Sequence, residues 1–583
     1  MDRSRAPKSG KKAASWGDFE AALKAGKFEA DQGAKLHVLL TPTNSPSVVR
    51  LRGLIKARLP KATFRAYSPI HEGNIRQGAK LAYGAVIQPV FAYDKAGVVL
   101  SLDCDFLQTE AGSVRANKGF ATGRRPVVGA PMNRLYVVEP TLTTTGAAAD
   151  HRVRVAATDV ERVALALAAH IAALRVPLGP LGTAADKLAK LGVGDAAISE
   201  KWLKAVAKDL VNNRGRALIV AGSRQPARVH ALVHALNDAL GNAGQTVTFA
   251  SVLDPEEADP IADIAALAKD MADGKVGTLL ILGGNPVYDA PADLKFAEAL
   301  AKVQVSVHLA MSEDETGERC TWQLPRAHEY EAWGDQRALD GTVSVQQPLI
   351  TPLFDGRSEI EVLSLLAAGQ ESTGYDIVRA TVRADLLAAH GLSACGAAGV
   401  DGKVDCRDVQ DNKVPFRVAD LDRDWKRALA EGVVRRGVPS GPRGSVRMAD
   451  VAAAFEKSST SAPVSKDSLE VVFVPCSKLF DGRHANNVWL QELPDPITKL
   501  VWDNAALVSP KTAKELGLKN GDVVKLTRGE RSISVGVWLN PGQANNSIAI
   551  ALGWGRKKAG RIGNGKGFDA YPLRTTDAAH VAT

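Results

Sequence analysis

Two strand-to-helix turns hold the residues best suited to chemistry. Gly283-Gly284-Asn285-Pro286 follows the apolar run Thr278–Leu282. Glycines at such a strand end let a phosphate or pyrophosphate approach the backbone closely. Gly222-Ser223-Arg224-Gln225-Pro226 is a comparable turn after Ala217–Ala221, with Arg224 able to face an anion. The first also reads as a plain turn, because the G-x-G-x-x-G spacing of dinucleotide enzymes is absent, and Arg224 also reads as a surface arginine. His230 and His234 lie four apart on one helix face, a metal-binding spacing. The segment His-Ala-Leu-Val-His lacks the zincin glutamate, which favours packed histidines. The five cysteines, Cys104, Cys320, Cys395, Cys406 and Cys476, have no zinc or iron–sulfur spacing. Cys104, at a strand end, is the one cysteine to nominate as a metal ligand, against the reading of a small packed residue. Cys395 and Cys406 lie in a Gly-rich segment and are either a disulfide of an exported protein or a chance pair.

Two further clusters invite a catalytic reading. Asp150-His151-Arg152 lacks a nucleophile for a triad and reads as a hydrogen-bonded structural cluster. Glu329, Glu331 and Asp335, with Trp333 between them, offer paired carboxylates for acid–base work or a polar loop capping a domain.

The elements that must position these residues alternate along the chain. Leu36–Leu40 reads as a strand, 47–59 as a helix, Val98–Leu102 and 135–138 as strands, and 158–174 as a helix. A second cycle runs through Ala217–Ala221, a helix over 227–240 closed by Gly241-Asn242, Thr278–Leu282 and 303–309. Repeated strand–helix units predict doubly wound, mostly parallel sheets, an α/β fold. After Leu469 the pattern shifts to short strands, with a hairpin around Arg528-Gly529-Glu530, which predicts a C-terminal β-barrel domain. The expected division is a disordered tail at 1–14, α/β domains at 15–215 and 216–375, an irregular insertion and linker at 376–465, and the barrel domain at 466–583.

Composition excludes several classes. The 583 residues are 45% hydrophobic and 23% charged, as in an ordinary globular protein. No run approaches the ~20 apolar residues of a membrane span. Residues 163–176 carry His170 and Arg175 and read as a core helix, so membrane attachment would come through partners. The net charge of +9 reads as a solvated basic surface, because the basic residues do not cluster with aromatics as nucleic-acid binding requires. They gather in short runs, at Lys8, Lys11 and Lys12 and at Arg556, Lys557 and Lys558. Met1-Asp2-Arg3-Ser4-Arg5 has neither a hydrophobic region nor a twin-arginine signal, so the protein is cytoplasmic or its signal lies outside this chain.

As a series, these segments resemble molybdopterin oxidoreductases of the DMSO-reductase type. The resemblance is carried by YVVEPTLTTTGAAADHRVR from Tyr136, TLLILGGNPVYDAP from Thr278, Glu315-Thr316, Leu324-Pro325, Glu331, Gly334 and Asp340-Gly341, with Asp340 where the family has Glu. The stretch from Ala506 to Thr527 resembles the family's C-terminal barrel. Within that family, TPTNSPSVVRLRGLI, SLDCDFLQTE and LPRAHEYEAWGDQRALDGT look like the molybdopterin-oxidoreductase-like half of the large iron–sulfur subunit of alternative complex III.

That resemblance implies a bacterial quinol-oxidising respiratory complex. It implies a half-subunit without molybdenum, pterin or cluster, and iron–sulfur clusters in a fused ferredoxin-like half. Here Asp2-Arg3-Ser4 stands where the family has an upstream signal and first segment, and Tyr571–Arg574 stands where the ferredoxin-like half follows. The resemblance therefore implies a split gene, a shortened gene model or a standalone paralogue. The expectation is a cofactor-free, non-catalytic scaffold at the periplasmic face of the inner membrane. Gly222, Arg224, Gly283, Gly284 and Asn285 would line a relict pocket. Iron–sulfur clusters and hemes c would reside in partners: a ferredoxin-like subunit or domain, multiheme cytochrome c subunits and an integral membrane quinol-oxidising subunit. The rival is a catalytic molybdenum or tungsten bis-pterin oxidoreductase in which the two glycine turns contact the cofactor.

Overall fold

A computed structural model describes residues 2–125, 128–129, 131–189, 198–254, 256, 259–368, 372–389, 392–395, 403–408, 413–434, 444–457 and 464–583. Two parallel sheets dominate. The first has seven strands, in the order Lys12–Ala13, Lys8–Ser9, Trp322–Pro325, Val305–Ala310, Thr278–Leu282, Leu36–Leu40 and Thr63–Ala66. The second has four, in the order His151–Arg154, Arg134–Glu139, Val98–Leu102 and Ala217–Ala221, all parallel. Leu36–Leu40, Val98–Leu102, Ala217–Ala221 and Thr278–Leu282 are buried at every position. That is why they read as unbroken apolar runs and not as alternating ones. Ser45 and Asp259 cap the helices Pro46–Arg58 and Pro260–Ala272 by accepting from Val48 N and Ala262 N, with proline in the first turn of each.

The sheets interleave along the chain. Leu36–Leu40 pairs in register with Thr278–Leu282, while Val98–Leu102 pairs with Ala217–Ala221. The contiguous segments 15–215 and 216–375 therefore do not follow the sheets. Periodicity identifies a strand but not its partner.

Two other expectations change. Within the segment expected to be a disordered tail, Lys8–Ser9 and Lys12–Ala13 form a hairpin against Trp322–Pro325, because the sheet edge offers unpaired backbone groups. The stretch expected to be irregular holds the helices Gly374–Ala389, Val418–Glu431 and Met448–Glu456. Trp425 of that stretch donates to Tyr375 Oη at 3.0 Å and packs its ring 5.7 Å away, tying the stretch to the core. Cys395 and Cys406 are Cα partners in an antiparallel pair, but their side chains lie outside the described residues.

The C-terminal unit is a six-stranded sheet in the order Val523–Arg528, Arg531–Leu539, Ala506–Val508, Ser547–Ala551, Glu470–Val474 and Val581–Ala582. The expected hairpin is present, with Gly529 at φ 55°. The sheet is half-barrel-like, and its strand order does not close into the expected barrel. It packs across the carboxyl ends of both α/β sheets. Tyr288 Oη donates to Trp554 O at 2.6 Å, and Arg152 donates to Gly542 O at 2.9 Å.

Candidate functional site

The Gly283-Gly284 turn sits where the strand order of its sheet reverses. In the seven-stranded sheet, Leu36–Leu40 and Thr278–Leu282 are neighbours whose chains leave in opposite directions, toward Thr63–Ala66 and Val305–Ala310. Such a switch point opens a crevice at the carboxyl ends of the strands, where ligands of open α/β sheets bind. In the other sheet Ala217–Ala221 is the edge strand beside Val98–Leu102, and its chain leaves for Val247–Ser251 in a separate two-stranded sheet.

At the switch point, Gly283 and Gly284 take φ of 83° and 72°, a left-handed backbone that favours glycine. Asn285 Oδ1 accepts from Thr316 N at 3.1 Å and Thr316 Oγ1 at 2.7 Å, while its Nδ2 donates to Glu315 Oε2 at 2.7 Å. Glu315 also accepts from Arg556 at 2.6 Å and from the backbone of Lys557 and Lys558, each at 2.9 Å. Burial alone would raise the Glu315 carboxyl. The Arg556 guanidinium and these donors hold it at about 2. Beneath the turn, His308 meets Gly284 O at 3.0 Å and Asp314 at 3.3 Å; against the opposing effect of burial, Asp314 raises its pKa. Glu315 thus ties the Asn285 turn to Arg556, Lys557 and Lys558 of the C-terminal unit.

At the Gly222 turn, Arg224 donates to Asp103 Oδ1 at 2.5 Å and Gln225 donates to Asp103 Oδ2 at 3.0 Å, all three residues being buried. Gly222 lies so close to the Asp103 carbonyl that a methyl group there would collide with backbone. Gly222→Ala is expected to cost about 1–3 kcal/mol, read as a lower urea midpoint. Glu110 accepts from Ser223 N at 3.1 Å, and burial pushes its carboxyl up to about 7.

Arg224 is the wall between two cavities. The smaller, about 110 Å³, lies against the C-terminal sheet and is lined by Asp105, Thr143, Lys478, Ile497 and Trp554 among others. The larger, about 520 Å³, is lined by His71, Gln225, Arg228, Asp259, Arg528 and His580. The N-terminal ends of four helices meet at the larger one: Gly73–Tyr83, Val160–Ala173, Ala227–Ala239 and Pro260–Ala272. Helix N-termini carry partial positive charge and free N–H groups, so their convergence favours an anion. Arg228 is held by Glu161 at 2.7 Å and Arg528 by Asp577 at 2.7 Å. Arg224 Nε, Gln225 Oε1 and His71 Nε2 are buried with no hydrogen-bond partner within the described chain. A phosphate-bearing group fits Arg224 Nε and His71 Nε2, whose N–H groups nothing among the described residues satisfies, whereas Gln225 Oε1 is an acceptor and needs a donor.

The remaining residues singled out in the sequence have structural roles. Cys104 is buried beneath the Gly222 turn, its carbonyl bound by Ser101 Oγ at 2.8 Å. Burial and the neighbouring carboxylates Glu110, Asp105 and Asp103 raise its thiol. His230 and His234 are core residues, with His234 against Tyr83 at 5.3 Å and Phe249 at 6.0 Å. Asp150 pairs with Arg124, His151 stacks on Tyr136 at 5.0 Å and Arg152 pairs with Glu139. Glu331 pairs with Arg3, Asp335 binds Ser45 and Ser47, Trp333 packs on Tyr375, and Glu329 is exposed, so these carboxylates do not converge.

Sequence reasoning missed His71, Arg228, Arg528 and His580, none of which carries a motif. The pair Glu315–Arg556 had a partial signal, since each lay in a segment noted for other reasons.

The histidines set a pH limit. Burial holds His230 at about 4 and His234 at about 3, against 6.5 for the ordinary side chain. These groups fold neutral, so their contribution is complete above pH 6.5 and is lost as pH falls toward those values. At pH 5 each is expected to have lost about 2 kcal/mol, read as a falling urea midpoint between pH 7 and 5.

No protein-family model matches the chain. It is similar to the menaquinone reductase, molybdopterin-binding-like subunit of Nitratidesulfovibrio vulgaris (strain Hildenborough), 24% identical over 598 aligned positions that cover 96% of this chain and 79% of the relative. Its structure is similar to that of acetylene hydratase from Pelobacter acetylenicus, with a TM-score of 0.68, 15% identity, and coverage of 95% of this chain and 85% of that one. These likenesses support a molybdopterin-oxidoreductase-like fold. They overturn the expectation that this chain has no cofactor of its own, because they point to a pterin–metal cofactor.

Proposed function

We propose that this chain is a peripheral subunit of a quinone-linked respiratory complex and that its central cavity holds the phosphate-bearing part of a pterin cofactor. The observation that carries the reading is the meeting of four helix N-termini with Arg224, Arg228 and Arg528 around about 520 Å³, beside unsatisfied buried N–H groups. Arg224 and the helix N-termini would bind the phosphates. His71 would complete the hydrogen bonding, and the C-terminal sheet would exclude water from above. Such a cofactor, when bound, supplies electron transfer at its metal. The protein's part is to bind, orient and shield.

The assembly is of the alternative complex III kind, at the periplasmic face of the inner membrane. This subunit docks cluster-bearing and heme-bearing neighbours, and an integral membrane subunit handles quinol. The relative named as a menaquinone reductase subunit supports the quinone link. Among the described residues no helix is long and apolar enough to cross a membrane, which fits attachment through partners. Isolation from native membranes tests the assembly: cluster-, heme- and membrane-bearing subunits should co-purify with quinol-dependent electron transfer. Recovery of the chain alone from the membrane-free fraction would contradict it.

A further inference from the structure

We propose that the face around Trp489 is the docking site for a partner subunit whose contacting surface is acidic around an apolar slot. The inference rests on the quinone-linked complex proposed above and names where that complex grips this chain. Trp489 is 81% exposed, on the short helix Val488–Glu492. Leu493 and Val501 beside it are 49% and 41% exposed. Folding gains little by leaving a tryptophan in water, and exposed apolar patches of this kind mark interaction sites. Tryptophan and arginine are the residues that most often anchor protein interfaces.

The surroundings give the partner's charge. Asn486, just before the helix, accepts from Ile562 N at 2.9 Å and donates to Asp2 at 3.0 Å. Asp2 in turn accepts from Arg561 Nε at 2.8 Å. These bonds hold the segment Arg556–Lys566 against the helix, and that segment has five basic residues and no acidic one. Arg561 keeps 74% of its side chain exposed despite its pairing. Lys566 lies 5.7 Å over the Trp502 ring, and Lys499 is exposed nearby in sequence. Glu492 is the exposed acid of the helix itself. Exposed cations thus rim an aromatic anchor, which complements an acidic surface with an apolar centre.

The same face continues across the N-terminal segment. Arg3, next to Asp2, pairs with Glu331. Tyr330 O accepts from Leu349 N at 2.8 Å and presents Leu349, 76% exposed, beside Leu353, 57% exposed. A protein is favoured over a lipid surface because the helix spans only five residues and has no long amphipathic face to lie in a bilayer.

The test is retention in the complex isolated from native membranes, with Trp489→Ala and Arg561→Glu compared with wild type. Wild type should be retained. Trp489→Ala should weaken retention about 30-fold, as for an interface hot spot, and Arg561→Glu should make it more salt-sensitive. Thermal unfolding and pterin content should be unchanged in both. Wild-type retention of both variants would overturn the inference and leave the proposed function standing. So would Trp489-dependent binding of the isolated chain to phosphatidylglycerol vesicles with complex retention unchanged. A wild-type chain found in no complex would overturn the proposed function together with this surface.

Discussion

Arg224→Met is expected to lower the free energy of unfolding by about 3–5 kcal/mol. Asp103 is 1% exposed, and its carboxylate is met by Arg224 at 2.5 Å and Gln225 at 3.0 Å. Removing the guanidinium leaves a buried negative charge with one neutral donor. A lysine would restore charge but not the forked donor set, so Arg224→Lys should recover only part of the loss. Asp103→Asn combined with Arg224→Met should be less damaging than the sum of the two single changes, because each alone strands the other partner. Urea unfolding of the four proteins reads the coupling. An additive result would mean that the pair contributes no interaction of its own. Arg224→Met should also weaken retention of a phosphate-bearing ligand, since Arg224 borders both cavities.

The second large effect concerns Glu315. Glu315→Leu removes the acceptor shared by Asn285, Arg556 and two backbone N–H groups, and leaves Arg556, 7% exposed, without its carboxylate. The expected loss is about 3–5 kcal/mol. The pH dependence identifies the cause. The folded carboxyl sits at about 2 against 4.5 ordinarily. Its contribution is therefore complete above pH 4.5 and disappears as pH falls through 2, in total about 3 kcal/mol. Glu315→Gln should be less stable than wild type at pH 6, and the gap should close toward pH 2. A gap that stays constant with pH would show that packing, and not the ion pair, holds the C-terminal sheet to the turn.

The strand ends were legible for a physical reason. Ala217–Ala221 and Thr278–Leu282 are buried on both faces, so they appear as short apolar runs, and the glycines that follow mark left-handed backbone or close approach. Strand pairing was not legible, because the partner of Leu36–Leu40 is chosen by sheet geometry and not by local pattern. The same distance hides the site's best contacts. Arg556 and Glu315 are 241 positions apart, and neither residue type at its place announces the other. His71 and His580 are lone histidines in sequence, and only folding brings their rings to 5.0 Å. Asn285 was legible as a turn residue but its partners, Glu315 and Thr316, were not.

The central claim is that the cavity bordered by Arg224 holds a phosphate-bearing pterin. The most direct measurement is the pterin, molybdenum and tungsten content of this chain isolated within its native membrane complex, alongside an Arg528→Gln variant. Stoichiometric pterin in wild type, reduced in the variant, is the expected result. A complex that is active with quinol and contains this chain, yet yields no pterin from it, would contradict the claim.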